Sequence, residues 1–348
     1  MIHNKYSNYK IVWFRDKLNS FINNEITAPI YVRIKPTNKC CHNCYFCVYN
    51  YKFSKMHETT NKIDEIPLNK MIEILDDLKD IGTKAITYSG GGEPLVHKDI
   101  IPILKRTLDN KIDLSILTNG QLLSDGRAEI LTQAKWIRIS IDYFSSESFI
   151  LSRFGSNVMF EKIQENISKF CKSNRFCEVG VNFIVTNSNY NNLMDSTNFL
   201  FDLGVDNIRF SPVWIPNFVE YHSKIQDKVL EQLNQIKLKY KDKINIYDSY
   251  KIKEDVNNRS YSKCYFMQVV PVIGADLNVY NCHNKAYSKD GIIGSIKKQK
   301  FSELWFSDKS KEYFNNYKCD LNCNHQCAND SKNVFLHEII NSYGDNYV

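Results

Sequence analysis

The sequence predicts an α/β protein made of parallel βα units, followed by a small cysteine-rich module with a β-hairpin. Three observations carry this. Six short apolar or β-branched runs alternate with helical patterns between residues 30 and 210. The polar residues suited to chemistry fall just after those runs. Of the eleven cysteines, four lie between Cys40 and Cys47, two are Cys171 and Cys177, and five lie between Cys264 and Cys327.

The elements follow in order. Ile11, Phe14, Leu18 and Phe21 at helical spacing predict a helix over 11–21, packed on the main domain. A β-branched strand over 30–35 runs into the first cysteines. Residues 68–79 read as a helix stopped by Gly82, and 85–88 as a strand that ends in a glycine run. Helix 97–108, strand 112–117 and helix 124–134 come next, then strand 136–141 and helix 160–171. Strand 178–185, helix 193–203 and strand 207–210 complete the alternation. Such units imply a parallel sheet with right-handed crossovers, whose C-terminal edge is where sites are built. Cys40, Glu93, Asn119, Asp142, Asn187 and Ser211 all fall at that edge.

Composition narrows the function. A chain of 348 residues with 43% hydrophobic content can bury a core, and no stretch approaches a membrane span. Lys5, Lys10, Arg15 and Asp16 interrupt any signal-like apolar run, so a cytoplasmic location is expected. Eleven cysteines in that compartment suit metal or redox use rather than disulfides. The net charge of +6 is spread along the chain, which argues against nucleic acid as a partner.

Two motifs carry the chemistry. Cys40, Cys44 and Cys47 form C-x3-C-x2-C, and Ser89-Gly90-Gly91-Gly92-Glu93-Pro94 follows about forty residues later. Three thiolates at this spacing suit a 4Fe–4S cluster with one iron left open to a ligand. A structural zinc ion is the plainer alternative, but zinc sites pair their ligands and no second pair lies nearby. Cys41 stands outside the spacing, as a spare neighbour or a substitute for Cys40. In this order and at this distance the two motifs resemble those of the radical S-adenosylmethionine (radical SAM) superfamily.

The resemblance implies a fold, cofactors and site residues. The fold is an open, partial (β/α)6 TIM-like barrel, and the count of six units agrees. The cofactors are a SAM-binding 4Fe–4S cluster on Cys40, Cys44 and Cys47, and SAM itself, whose amine meets the glycine loop. Phe46 lies where the family places an aromatic beside the adenine. Gly91 and Gly92 lack Cβ atoms and admit close backbone approach, while Glu93 accepts from the ligand's ammonium. Ser140 is a candidate ribose contact, and Asn119 and Asp142 line the same cavity. Ser, Asn and Asp after strands also commonly serve turns.

Cys264 and Cys282 flank a hairpin predicted over 268–273 and 277–280, and Cys319, Cys323 and Cys327 follow as C-x3-C-x3-C. This resembles the twitch or SPASM extension of radical SAM enzymes, which implies a second, auxiliary 4Fe–4S cluster and one unused thiol. A zinc ion held by four of the five is the alternative. Cys171, Cys177 or the spare C-terminal thiol can return a hydrogen atom to a substrate radical; Cys177 is named as the catalytic candidate.

The expected division is an N-terminal helical extension (1–28), the partial barrel (29–215), a helical connector (216–260) and the auxiliary-cluster module (261–348). The expected activity is reductive cleavage of SAM and hydrogen abstraction from a small polar substrate, such as a sugar, nucleotide sugar or aminoglycoside-like compound. Oxidation or epimerisation follows, with a flavodoxin or ferredoxin-type electron donor as partner. The 28 residues before the first strand leave no room for a leader-binding domain, so a peptide substrate ranks second. An iron–sulfur electron carrier or sensor is the reading from another class.

Overall fold

The computed structural model describes residues 7–49, 59–215, 217–252, 259–319, 323, 327 and 329–343. Parts of the expected N-terminal extension, connector and C-terminal cysteine loop lie outside the described residues.

After a 3₁₀ turn (Asn8–Trp13) and helix α1 (Arg15–Ile22), strand β1 (Tyr31–Ile34) opens the barrel. It is followed by α2 (Leu68–Asp80), β2 (Ala85–Tyr88), α3 (Ile100–Asp109), β3 (Asp113–Thr118), α4 (Asp125–Leu131) and β4 (Trp136–Ser140). Next come α5 (Ser146–Arg153), α6 (Asn157–Lys172), β5 (Glu178–Val185), α7 (Leu193–Asp202) and β6 (Asn207–Pro212). β1 to β6 lie side by side, each parallel to the next. This is the partial (β/α)6 arrangement that the alternation predicts.

Two helices, α8 (Phe218–Ser223) and α9 (Gln226–Lys239), lead to β7 (Asn245–Asp248), a seventh parallel strand beside β6. After α10 (Phe266–Val269), β8 (Val272–Ile273), β9 (Asn278–Tyr280) and β10 (Ile292–Ser295) extend the opposite edge. β8 runs parallel to β1, so the C-terminal hairpin continues the barrel sheet. α11 (Phe301–Trp305), α12 (Asp308–Asn316) and α13 (Asp330–Asn341) close the module.

Alternation along the strands divides the sheet's two faces. Val32, Ile34, Ile86, Tyr88, Leu114, Ile116, Ile137, Ile139, Val181 and Phe210 join helix residues such as Met71, Ile103 and Ile167 in one core. The other face is polar: Tyr31 donates to Thr87 Oγ1 (2.7 Å), which lies 2.6 Å from Ser115 Oγ. This inner face also carries Arg33, Arg138, Asn182 and Arg209, one side-chain period from apolar neighbours.

Three expectations need correction. The segment over 11–21 is not one helix, because Phe14 breaks it; Ile11 and Phe21 pack on Tyr265, Phe266, Val269 and Leu336 of the C-terminal module rather than on the barrel. The helix expected from residue 97 starts at Ile100, since His97 ends a 3₁₀ turn begun by Pro94. Residues 268 and 269 belong to α10 rather than to a strand, and Pro271 precedes the shorter hairpin. The α/β class, the barrel order and the appended hairpin–helix module stand.

Candidate functional site

The C-terminal edge of β1, β2, β3 and β4 supplies four loops that fasten to one another. The first holds Cys40, Cys44 and Cys47, with a turn closed by Cys47 N–H donating to Cys44 O (3.2 Å). Burial pushes the Cys44 and Cys47 thiols up. The glycine loop packs against its stem: Glu93 N–H donates to Lys39 O (2.9 Å). A Cβ on Gly91 would lie 2.0 Å from Asn38 Oδ1, and one on Gly92 2.1 Å from Lys39 O. Both glycines are therefore required by close approach of the two loops.

Glu93 ties the loops together. Its side chain is buried, and its carboxylate accepts from Leu95 N–H (3.0 Å), Thr118 Oγ1 (2.8 Å) and Asn119 N–H (2.7 Å). It thus fastens the β2 loop to the β3 loop, with Oε1 taking two of these donors and Oε2 one. Burial nonetheless lifts its pKa from 4.5 to about 7, against these three donors. Asn119 continues the network, donating from Nδ2 to Cys41 Sγ (3.2 Å) and accepting from Gln121 N–H (3.0 Å). Gln121 Oε1 lies 2.9 Å from His42 Nε2, and burial holds His42 down to about 4.

Ser140 ends β4, and its carbonyl accepts from Arg153 Nη2 (3.3 Å). Asp142, expected to line the cavity, is instead buried in an ion pair with Arg153. Phe46 lies under the same guanidinium, with the charge 5.3 Å from its ring centroid.

Two functional candidates escape the sequence reading. One is Arg153, in a helix the periodicity does not reveal. The other is Lys35, one residue past β1 and 2% exposed. Its ammonium donates to Tyr49 Oη (2.7 Å) and to Gly90 O (2.8 Å), and lies 4.4 Å from the Tyr49 ring centroid and 5.6 Å from that of Tyr287. Burial, and then the nearby Arg33, lower its pKa from 10.5 to about 7. Lysine is almost never fully buried unless paired, but the sequence shows only that a lysine follows β1, not that it is buried.

The second set of thiols converges as well. Cys264, Cys282, Cys319, Cys323 and Cys327 all line one cavity of about 150 Å³, which reaches Tyr31 and Arg33 of β1. Arg259 donates to Cys323 Sγ (3.3 Å), and Asn329 N–H to Cys327 Sγ (3.3 Å). Among the described residues, no three His, Cys, Asp or Glu side chains converge on the position of a single metal ion. A 4Fe–4S cluster takes up to four thiolates, each on a different iron, and this cavity gathers five. The C-terminal cysteines fit that group.

Cys177 does not share the site. It immediately precedes β5, at the N-terminal edge of the sheet, where it lines a cleft with Lys135, Arg175 and Asp206. Strand β5 separates it from the loops above by its whole length of 8 residues, roughly 26 Å at strand rise. That removes it as a hydrogen donor.

Comparison with known proteins agrees with this geometry. The model of the radical SAM superfamily matches residues 34–200, from the end of β1 into α7. The chain is 27% identical over 282 residues to a probable GTP 3',8-cyclase of Sulfurisphaera tokodaii, covering 80% of this chain and 84% of that protein. It is 24% identical over 165 residues to an S-adenosylmethionine-dependent nucleotide dehydratase of Selenomonas ruminantium, covering 45% of this chain and 57% of that one. Among solved structures, Streptococcus suis SuiB bound to S-adenosylmethionine is similar in fold, with a TM-score of 0.65 at 16% identity, over 84% of this chain and 69% of SuiB. The match takes in the cysteine triplet, the glycine loop and the strands that carry them, and the chain carries a radical SAM domain, the kind that uses a 4Fe–4S cluster and S-adenosylmethionine.

Proposed function

We propose that this chain uses Cys40, Cys44 and Cys47 to hold the SAM-binding cluster and acts on a small anionic substrate, of the nucleotide or nucleotide-sugar class. When bound, the cluster and SAM would supply hydrogen-abstraction chemistry: one electron from a flavodoxin or ferredoxin-type donor would split SAM into methionine and a 5′-deoxyadenosyl group able to take hydrogen from the substrate. The chain's own contribution is to hold SAM against the glycine loop, place the substrate carbon and exclude water. The five C-terminal cysteines are the proposed seat of an auxiliary cluster, which can take up the electron when the substrate is oxidised. The proposed division keeps the barrel at 29–215 and the auxiliary module at 261–348.

The charge of the inner face carries the substrate reading. Arg33, Arg138 and Arg209 lie on it, and Lys332 of α13 is within electrostatic reach of Arg33 and Arg209. Arg33 Nε is buried with no hydrogen-bond partner among the described residues. The acids on the same face, Asp113 and Glu178, begin their strands at the far edge, and Glu178 accepts from Asn207 Nδ2 (2.7 Å). Such a surface favours phosphate over a polycation, and so turns the expectation away from aminoglycosides. Relatives named for GTP and nucleotide chemistry support the same class.

Calorimetric titration of the anaerobically reconstituted protein with GTP, UDP-glucose and neomycin tests the reading. The nucleotides should bind and neomycin should not. Arg33→Met should weaken nucleotide binding roughly ten- to a hundred-fold, the worth of a hydrogen bond to a charged group. Neomycin binding alone, or nucleotide binding indifferent to Arg33→Met, contradicts it.

A further inference from the structure

Helix α5 ends beneath the cysteine loop, and four consecutive loop residues touch its last turn. Ser145 and Ser148 form a capping box at its start, and Phe154, at φ 55°, closes it in the left-handed conformation. The last carbonyls of a helix have no partner within it. Here Ser152 O accepts from Tyr45 N–H and Arg153 O from Asn43 N–H, both at 3.4 Å. Between those two amides, Arg153 Nη1 donates to Cys44 Sγ at 2.8 Å. The next ring along, Phe46, lies under the guanidinium. Residues 43 to 46 are thus laid on Arg153 and its neighbour, one contact each.

The guanidinium is itself fixed. Nε donates to Asp142 Oδ1 at 3.0 Å, Nη2 makes an ion pair with the same oxygen, and the Arg153 and Asp142 side chains are 5% and 1% exposed. A fork held this way cannot swing to solvent, so its Nη1–H stays aimed at the Cys44 sulfur. Hydrogen bonds and charge at cluster sulfurs tune reduction potential, because they stabilise the more negative reduced state.

We infer that Arg153, clamped by Asp142, is a positioning residue for the cluster: it moulds residues 43–46 into the ligand loop and raises the cluster's reduction potential through its bond to Cys44. The inference rests on Cys40, Cys44 and Cys47 being the ligands. No group titrates in it; a fixed charge-assisted hydrogen bond and a fixed shape do the work.

The test compares wild type with Arg153→Gln, which removes the charge, and Arg153→Lys, which keeps the charge but not the fork. Each protein is reconstituted anaerobically, and the EPR signal that shifts on addition of SAM is followed in a redox titration. Wild type should show the largest reduced fraction at each poised potential, Arg153→Lys less, and Arg153→Gln the least. Identical titrations in all three overturn the inference. If Arg153→Gln retains no iron, Arg153→Lys against wild type decides by the same criterion. If neither variant retains iron, hydrogen exchange of amides 43–46 in the iron-free chains decides. Faster exchange than in wild type upholds the mould, and equal exchange overturns it. An SAM-responsive signal that survives loss of Cys40, Cys44 and Cys47 is a different failure, that of the ligand assignment.

Discussion

Gly92→Ala is the sharpest structural probe of how the glycine loop and the cysteine loop depend on each other. The added Cβ would lie 2.1 Å from Lys39 O, 2.5 Å from Asn38 C and 2.6 Å from Asn38 O. All three are backbone atoms, so no side chain can rotate away. To reach a tolerable 3.0 Å the Lys39 carbonyl must retreat by about 0.9 Å, and Lys39 directly precedes Cys40, a proposed ligand. Overpacking of this kind typically costs about 1–3 kcal/mol of stability. A displacement near 1 Å at a reacting geometry lowers turnover by about a hundred-fold. The variant should therefore fold with reduced stability, bind SAM more weakly and form 5′-deoxyadenosine about a hundred times more slowly. Gly126→Ala is the control, since its Cβ meets only Ile101 Cδ1, at 3.2 Å, at the end of a flexible side chain. It should stay within about 1 kcal/mol of wild type. SAM affinity by equilibrium binding and 5′-deoxyadenosine by chromatography read the outcome. A Gly92→Ala protein with unchanged affinity and rate refutes the claim that close packing of these two loops shapes the site.

Other consequences follow from the same geometry. Replacing Cys40, Cys44 and Cys47 together by Ala should remove about four irons while leaving about four with the C-terminal cysteines. One zinc and no sulfide in that variant would show the second site to be structural. Cys41→Ala should keep the iron of the first site, because Cys41 Sγ accepts from Asn119 and stands outside the triplet spacing. Lys35 gives a pH signature: burial holds its folded pKa at about 7, below the ordinary lysine value of 10.5, so between these the unfolded chain binds the extra proton and stability rises with pH. From pH 7 to pH 9 the rise is about 2 kcal/mol; urea unfolding of Lys35→Met should lack it, and an equal rise in both proteins contradicts the buried-ammonium reading.

The barrel is legible in the sequence because its signals are local. Period-two alternation in residues 178–185 and the helical pattern of 68–79 declare themselves within one element. The cysteine triplet and the glycine loop are equally local, each a run of a few residues. What escapes is what depends on distant partners. Helix α5 buries Phe149, Ser152 and Arg153, which is no apolar stripe, so periodicity passes over it and over the arginine beneath Cys44. Glu93 reads as a ligand acceptor in isolation, and only the approach of Thr118 and Asn119 shows its carboxylate engaged within the chain. Cys177 looks like a donor until strand direction puts it at the wrong edge. The N-terminal segment shows an amphipathic face but not its partner, which lies more than two hundred residues away in α10 and α13.

Among the described residues no helix is long and apolar enough to cross a membrane. The central claim is that three thiolates and the glycine loop make this chain a cleaver of SAM. The direct measurement is anaerobic incubation of the reconstituted, dithionite-reduced protein with SAM, followed by quantification of 5′-deoxyadenosine and methionine. The account predicts equal amounts of both, lost when Cys40, Cys44 and Cys47 are replaced. A protein that holds a reducible 4Fe–4S cluster on the triplet, binds SAM and yields neither product would contradict it.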